Sequence, residues 1–298
     1  MMHSRRSFLQ GAAAMGASSL LAPAAPAIEP VARSGPARMK LSLAAYSFRD
    51  YLAGRNKSMS YEEWVDLCAS YGLLDAIEPT AYYFPENVTD EYMRKFRRRA
   101  FLAGLDISGT AIGNVFTHPA GPERDREISN AKRWIDRAAA LGAPVIRIFA
   151  GNLPKGTAEA DARRWAIDAI HDCCRYAGER GIFLALENHG GIVTTIDQIL
   201  SIVREVQSDW FGVNLDTGNF RSADPYGDLA RLAPYAVTVQ IKSEIGSARD
   251  DRKEADLPRL VGILKKAGYR GYVALEYEAR EDPKTAVPRY LKTLRGLL

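Results

Sequence analysis

The 298-residue sequence predicts a single-domain α/β fold, a closed (β/α)8 TIM barrel over residues 41–298. Three observations predict it. From residue 41 a short β-branched or apolar run recurs every 26–39 residues, each followed by a helical pattern. There are eight such units, the number that closes a parallel barrel, and such barrels run to about 250 residues as one domain. No glycine-rich dinucleotide loop follows the first strand, where an open nucleotide-binding sheet would carry it. Composition fits: 47% hydrophobic and 26% charged residues, with 24 Gly and 15 Pro, exclude wholesale disorder, collagen-like repeats and a multi-span membrane protein. A net charge of +4 is too mild a field to indicate nucleic acid or anionic lipid.

The chain opens Ser4-Arg5-Arg6-Ser7-Phe8-Leu9, continues through a mildly apolar Gly11–Ala22 and reaches Ala25-Pro26-Ala27. A basic start, a short apolar stretch and a small-x-small site read as an export signal, of the twin-arginine type. Residues 1–27 are therefore read as a signal peptide and 28–40 as a linker. The apolar stretch is shorter than the ~20 residues that cross a bilayer, and no cysteine follows it, so no stable membrane anchor is expected. The expected partner here is the twin-arginine export machinery, and the expected location is periplasmic or extracellular. Cys68, Cys173 and Cys174 are an odd set with one adjacent pair, a poor disulfide framework, and fall on apolar helix faces as core residues.

The strands read Leu41–Phe48, Ala76–Phe84, Asp106–Phe116, Val145–Gly151, Phe183–His189, Phe211–Asn219, Val237–Glu244 and Tyr272–Glu278. Helical stripes lie between them, such as Ala166, Ile170, Cys173 and Ala177, or Leu257, Leu260, Leu264 and Ala267. Ser60 with Glu63 and Thr195 with Gln198 form capping boxes, and Asp282-Pro283 places a cap before an N1 proline. Gly72, Gly104, Gly142, Gly181 and Gly268 each close a helix just before a strand, where a left-handed residue is needed.

Function in this fold gathers at the C-terminal ends of the strands. Strand five ends LALENHGG, placing Glu187 and His189; strand six ends VNLDTGN, placing Asp216 and Asn219. Strand seven ends VQIKSE, placing Gln240 and Lys242; strand eight ends ALEYE, placing Glu276 and Glu278. Carboxylates converging on one rim raise one another's pKa unless a cation neutralises them. One divalent metal would do so, and three carboxylates with an amide oxygen make a hard donor set. That set favours Mn²⁺ or Mg²⁺, with Co²⁺ or Zn²⁺ as the softer choices. An ion-pair network with Lys242 and Arg147 would neutralise the same carboxylates without a metal.

Around that centre, His189 and Lys242 are placed to orient or bind substrate. Arg147 on strand four and Glu78 on strand two either bind hydroxyls or pair with rim charges. Tyr46, Tyr82 and Tyr83 stand near the rim, where an aromatic face can stack on a sugar. His118 lies in a loop that could reach the site, while His171, beside Asp168 and Asp172, reads as surface. The charged 244–255 loop is a candidate lid.

The motifs LENHGG, NLDTGN, VQIKSE and GYVALEYE, with IEPTAYYF at strand two, resemble the xylose-isomerase-like sugar isomerase/epimerase superfamily across residues 39–298. The resemblance implies a metal held by Glu187, Asp216, position 240 and Glu276, with Glu187 and Glu276 also moving protons. Position 240 departs from the family's histidine by being Gln, and Asn219 stands where the family has another histidine. The implied function is a divalent-metal-dependent isomerase or epimerase. It would act on a non-phosphorylated sugar, keto-sugar or polyol through an enediolate. A lyase or dehydratase sharing that intermediate, and a non-catalytic carbohydrate-binding barrel, are the alternatives. The partner is thus a small carbohydrate; no nucleic acid is expected, and a homo-oligomer is compatible with the sequence. The DNA-repair branch of the fold needs a His-rich centre and a basic groove, whereas this chain has four His.

Overall fold

The computed structural model describes residues 29–246 and 251–298; the expected signal peptide, 1–27, lies outside them. The strands are β1 (Arg38–Ala44), β2 (Ala76–Glu78), β3 (Asp106–Ile107), β4 (Thr110–Ala111), β5 (Val145–Ile148) and β6 (Phe183–Glu187). They continue with β7 (Phe211–Asp216), β8 (Ala236–Lys242), β9 (Glu244–Ile245), β10 (Lys253–Glu254) and β11 (Arg270–Glu276). The helices are α1 (Arg49–Leu52), α2 (Tyr61–Ser70), α3 (Asp90–Leu102), α4 (Pro122–Leu141) and α5 (Glu159–Gly178). They end with α6 (Ile196–Glu205), α7 (Pro225–Leu232), α8 (Leu257–Lys266) and α9 (Pro283–Leu297). Nine strands form one parallel sheet in the order β3-β2-β1-β11-β8-β7-β6-β5-β4. β3 and β4 are two halves of the expected third strand, interrupted at Ser108-Gly109. A Cβ at Gly109 would lie 2.9 Å from Val145 Cγ1. A bridge between Thr80 and Ala111 joins the two ends of the curled sheet. The eight βα units are therefore as the sequence predicts.

Strand limits differ from the prediction in one consistent way. Observed strands stop at Ala44, Glu78, Ala111, Ile148, Glu187, Asp216, Lys242 and Glu276, two to six residues early. The apolar pattern runs on because the next residues still pack inward, as 3-10 turns at Ala45–Phe48 and Ala81–Tyr83. At the other end β1 begins at Arg38, taking 38–40 out of the expected linker. Residues 29–37 are not a free tether either. Val31 N donates to Pro234 O at 3.1 Å, Arg33 donates to Ala236 O, and Arg270 Nη1 donates to Pro36 O at 2.5 Å. The expected lid contains the antiparallel pair β9–β10, while 247–250 lie outside the described residues.

Local signals in the sequence hold. Both capping boxes form, Asp282 caps α9, and the five helix-closing glycines all take positive φ. The three cysteines are buried and unpaired. Alternation along each strand then separates two environments. Leu41, Leu43, Val213, Leu215, Val239, Ile241, Val273 and Leu275 are essentially inaccessible and form the layer under the helices. Their neighbours Ser42, Glu78, Arg147, Glu187, Asn214, Asp216, Gln240, Lys242 and Glu276 are buried and polar, and they meet across the barrel axis. No described helix is long and apolar enough to cross a membrane.

The loop after β6 is held close to the loop after β5. Ile192 N donates to Gly151 O at 3.1 Å, and a Cβ at Gly191 (φ +58°) would lie 2.2 Å from that same oxygen. Gly191→Ala is expected to cost about 2 kcal/mol or more, from left-handed backbone plus the clash. A fall in the urea midpoint with unchanged slope checks it.

Candidate active site

Strand register decides which side chains share a level. Lys242 of β8 pairs with Glu276 of β11, Gln240 pairs with Asp216 of β7 and Ala274 of β11, and Glu187 of β6 pairs with Asn214 of β7. Gln240 and Lys242 are two residues apart, so both side chains enter the barrel, one above the other.

Lys242 is 5% exposed, and its ammonium gathers three carboxylates. Nζ lies 2.7 Å from Glu276 Oε1, 2.9 Å from Glu278 Oε1 and 3.2 Å from Asp216 Oδ2. Its backbone is pinned where Lys242 N donates to Thr217 Oγ1 at 2.9 Å. Its stem lies over Gly218, where an added Cβ would be 2.6 Å from Lys242 Cγ. Asp216 is set by two further bonds: Gly218 N donates to Oδ1 at 2.8 Å, and Asp216 N donates to Asn188 Oδ1 at 3.0 Å. Arg252 lies 3.8 Å from Glu278 Oε2 at the rim.

The second charged group is built on β5 and β6. Arg147 Nε lies 2.9 Å from Glu187 Oε2, Nη1 donates to Ile112 O at 2.7 Å, and the guanidinium stands 4.0 Å over the Phe149 ring. Asn219 Nδ2 donates to Glu187 Oε1 at 2.9 Å, so both carboxylate oxygens are engaged. Below them runs a hydrogen-bonded link: Asn214 Nδ2 donates to Gln240 Oε1 at 2.7 Å, and Gln240 Nε2 donates to Glu78 Oε1 at 2.6 Å.

Most side chains picked from the sequence therefore converge: Glu78, Arg147, Glu187, Asp216, Asn219, Gln240, Lys242 and Glu276. Tyr46 is half-buried beside them, its hydroxyl pushed up by burial and by Glu278. His189 stands at their edge, its imidazole pKa lowered by partial burial and by Arg147. The strand stops at Glu187 and turns, His189 N donating to Glu187 O, and the imidazole stacks on Phe149 at 4.5 Å in an exposed position. Asn188 is buried beside it, its amide bonded to the backbone of Asp216 on β7. His118 faces Glu123 at 3.4 Å, and His171 is half-buried, accepting from Gln207 N rather than lying free on the surface. Asn188, Asn214 and Thr217 were not singled out in the sequence, and Glu278 was given no partner there. Asn214 had a readable signal, because it is two residues before Asp216 on the same strand face. A cleft of about 460 Å³ beside the mouth is lined by Ser47, Arg49, Tyr51, Tyr277 and Arg280, and none of these carboxylates lines it.

Burial sets the protonation chemistry. Glu187 is pushed up to about 7 by burial, against the pull of Arg147. Glu78 is likewise at about 7, from burial and from the charge on Glu276. Asp216 and Glu276 are also raised, chiefly by burial, with Lys242 opposing. Burial alone would lower the lysine; Asp216, Glu276 and Glu278 together reverse that and lock it as ammonium.

The donor set was expected to hold a divalent ion, and its geometry tests that. Asp216 Oδ2 and Glu276 Oε1 do face one point, and Lys242 Nζ stands there, hydrogen-bonded to Glu276 and ion-paired at 3.2 Å with Asp216 Oδ2, which has no hydrogen-bond partner. Glu187 is turned to Arg147 and Asn219, and both ends of the Gln240 amide are taken. Among the described residues no group of three or more His, Cys, Asp or Glu side chains is arranged to hold a metal. The residues as arranged do not fit the ion.

A family model described as xylose isomerase-like TIM barrel matches residues 65–297. The rhizopine catabolism protein MocC of Rhizobium meliloti is 26% identical over 142 residues, 40% of this chain and 43% of that protein. The chain thus matches less than half the length of that curated relative. D-psicose 3-epimerase of Clostridium cellulolyticum H10, solved with D-tagatose, superimposes with a TM-score of 0.74 at 15% identity, over 87% of this chain and 99% of that one. The IOLI protein, solved with a bound zinc atom, gives 0.68 at 19% identity over 87% and 96%.

A carboxyl raised from about 4.3 in the unfolded chain to about 7 in the fold binds its proton more tightly when folded. Its contribution is present below pH ~4.5 and is lost as pH rises through 7. Glu78→Gln keeps the acceptor for Gln240 and removes that loss. The variant is expected to melt close to wild type at pH 5 and several degrees above it at pH 8, by up to roughly 3 kcal/mol. Paired thermal melts check it.

Proposed function

The chain belongs to the xylose isomerase-like TIM barrel family, and from that premise we propose that it is a carbohydrate isomerase or epimerase that removes a proton beside a carbonyl. The carrying observation is a pair of buried glutamates, Glu187 on β6 and Glu276 on β11, separated by β7 and β8 and each held against its own cation. A substrate carbon between them has a base on one side and an acid on the other. One glutamate takes the proton, the C–H electron pair moves to the carbonyl oxygen as an enediolate forms, and the other glutamate or the first returns a proton. A carboxyl near 7 is well placed for this, since half of it is base at neutral pH. The negative charge on oxygen is met by the buried cations at the mouth, in a place where water does not screen them.

The charge of the site supports a non-phosphorylated substrate. Both buried cations already face carboxylates, Arg147 on Glu187 and Lys242 on Asp216, Glu276 and Glu278, so a phosphate dianion would have to compete with those groups to bind. A keto-sugar, keto-glycoside or polyol-derived ketone suits the acid–base pair. A second reading, a lyase or dehydratase, uses the same enediolate: a carboxyl raised to about 7, as at Glu187, holds a proton in part of the molecules at neutral pH and can give it to a leaving oxygen on the carbon next door. The twin-arginine motif Ser4–Leu9 and the small-x-small site at 25–27 support export to the periplasm in the folded state.

Glu187→Gln and Glu276→Gln are each expected to cut turnover and solvent-deuterium incorporation into keto-sugars by about 10²–10⁴-fold, while sugar binding by calorimetry persists. Turnover preserved in both variants would sink the assignment. Residues 1–30 fused to a reporter are expected to carry it to the periplasm, and Arg5→Lys with Arg6→Lys to stop it; a reporter that stays inside would refute the leader.

A further inference from the structure

We propose that the Lys242 ammonium takes the position a divalent ion would hold, so that this chain runs its proton transfer without a bound metal. The inference rests on the enediolate reading for what the ammonium does, but where it sits stands on geometry alone. Three carboxylate oxygens from β7 and from the end of β11 surround Nζ at 2.7–3.2 Å, an arrangement of hard donors about a buried cation. The lysine is built in rather than folded in from solvent. Thr217 holds its backbone, and glycine at 218 leaves room for its stem, since a Cβ there would be 2.6 Å from Lys242 Cγ.

The other expected donors have been reassigned. Where the resemblance calls for histidine, Gln240 Oε1 accepts from Asn214 Nδ2 at 2.7 Å and its Nε2 donates to Glu78 Oε1 at 2.6 Å. Turning that oxygen toward the ion's position would break both bonds inside the barrel. Glu187 is engaged on both oxygens, by Arg147 and Asn219. Chemically the replacement is balanced. The proton leaves carbon for a glutamate, the electron pair goes to the carbonyl oxygen, and the ammonium pairs with that oxygen as its charge grows, with no change of oxidation state and no co-reactant.

The test reads metal binding directly, apart from turnover. Full-length protein is purified without chelator and analysed for metals, then titrated calorimetrically with Mn²⁺ and Zn²⁺, alongside Lys242→Ala. Wild type is expected to carry substoichiometric metal and give no saturating isotherm. Lys242→Ala, with three carboxylates left facing an empty position, is expected to bind at least about tenfold more tightly than wild type. Stoichiometric metal in wild type, retained through dialysis and lost on Asp216→Ala, would overturn the proposal whether or not the lysine variant folds. Failure of a folded Lys242→Ala to gain affinity would also overturn it. A sugar screen without turnover would count against the proposed reaction and leave the metal result standing.

Discussion

An ammonium held out of water among three carboxylates is the interaction on which the mouth of this barrel depends. Transferring each of these ions from water costs several kcal/mol even after relaxation, and only close mutual attraction offsets it. Removing the lysine would leave Asp216, Glu276 and Glu278 facing one another with no counter-charge between them. Much of the surrounding backbone can be understood as a fixture for that contact. β8 and β11 are registered so that Lys242 and Glu276 are partners, and Thr217 and Gly218 shape the turn after β7 to receive the lysine stem.

The barrel interior is layered by charge as well as by strand. The upper level is ionic and divides into two cation-centred groups, one on Arg147 and one on Lys242. The level beneath is a hydrogen-bonded chain from the Asn214 and Gln240 amides to the Glu78 carboxyl, joining β7, β8 and β2 across the lumen. Asn214 Oδ1 at its end is buried without a hydrogen-bond partner. The split third strand sits on the same side as Glu78, and glycine at the break lets Val145 approach closely.

How much of this was legible in the sequence depends on the range of the interaction. The eight units, the capping boxes and the helix-closing glycines are local patterns with local causes, and they read correctly. Strand ends were overrun because apolar spacing persists into turns that still pack on the core, as at Phe48 and Phe84. Site residues on β6, β7, β8 and β11 were readable from period-two alternation. That rule stops short of His189, since alternation ends where the strand ends and the chain turns after Glu187. The identity of partners was not legible. Whether Glu187 shares an ion with Asp216 or pairs with Arg147 depends on which side chain fills a common point, and no spacing encodes it. Both possibilities could be stated from the sequence; only the three-dimensional arrangement separates them.

The segment ahead of β1 carries a different consequence. Residues 31–36 are bonded to Pro234, Ala236 and Arg270, at the start of β8 and β11, while the chemistry stands at the far ends of those strands. The chain therefore enters the barrel through its floor. Residue 29 thus lies on the side away from the mouth. A molecule held to a support by a contact on that side presents its open face outward to solvent.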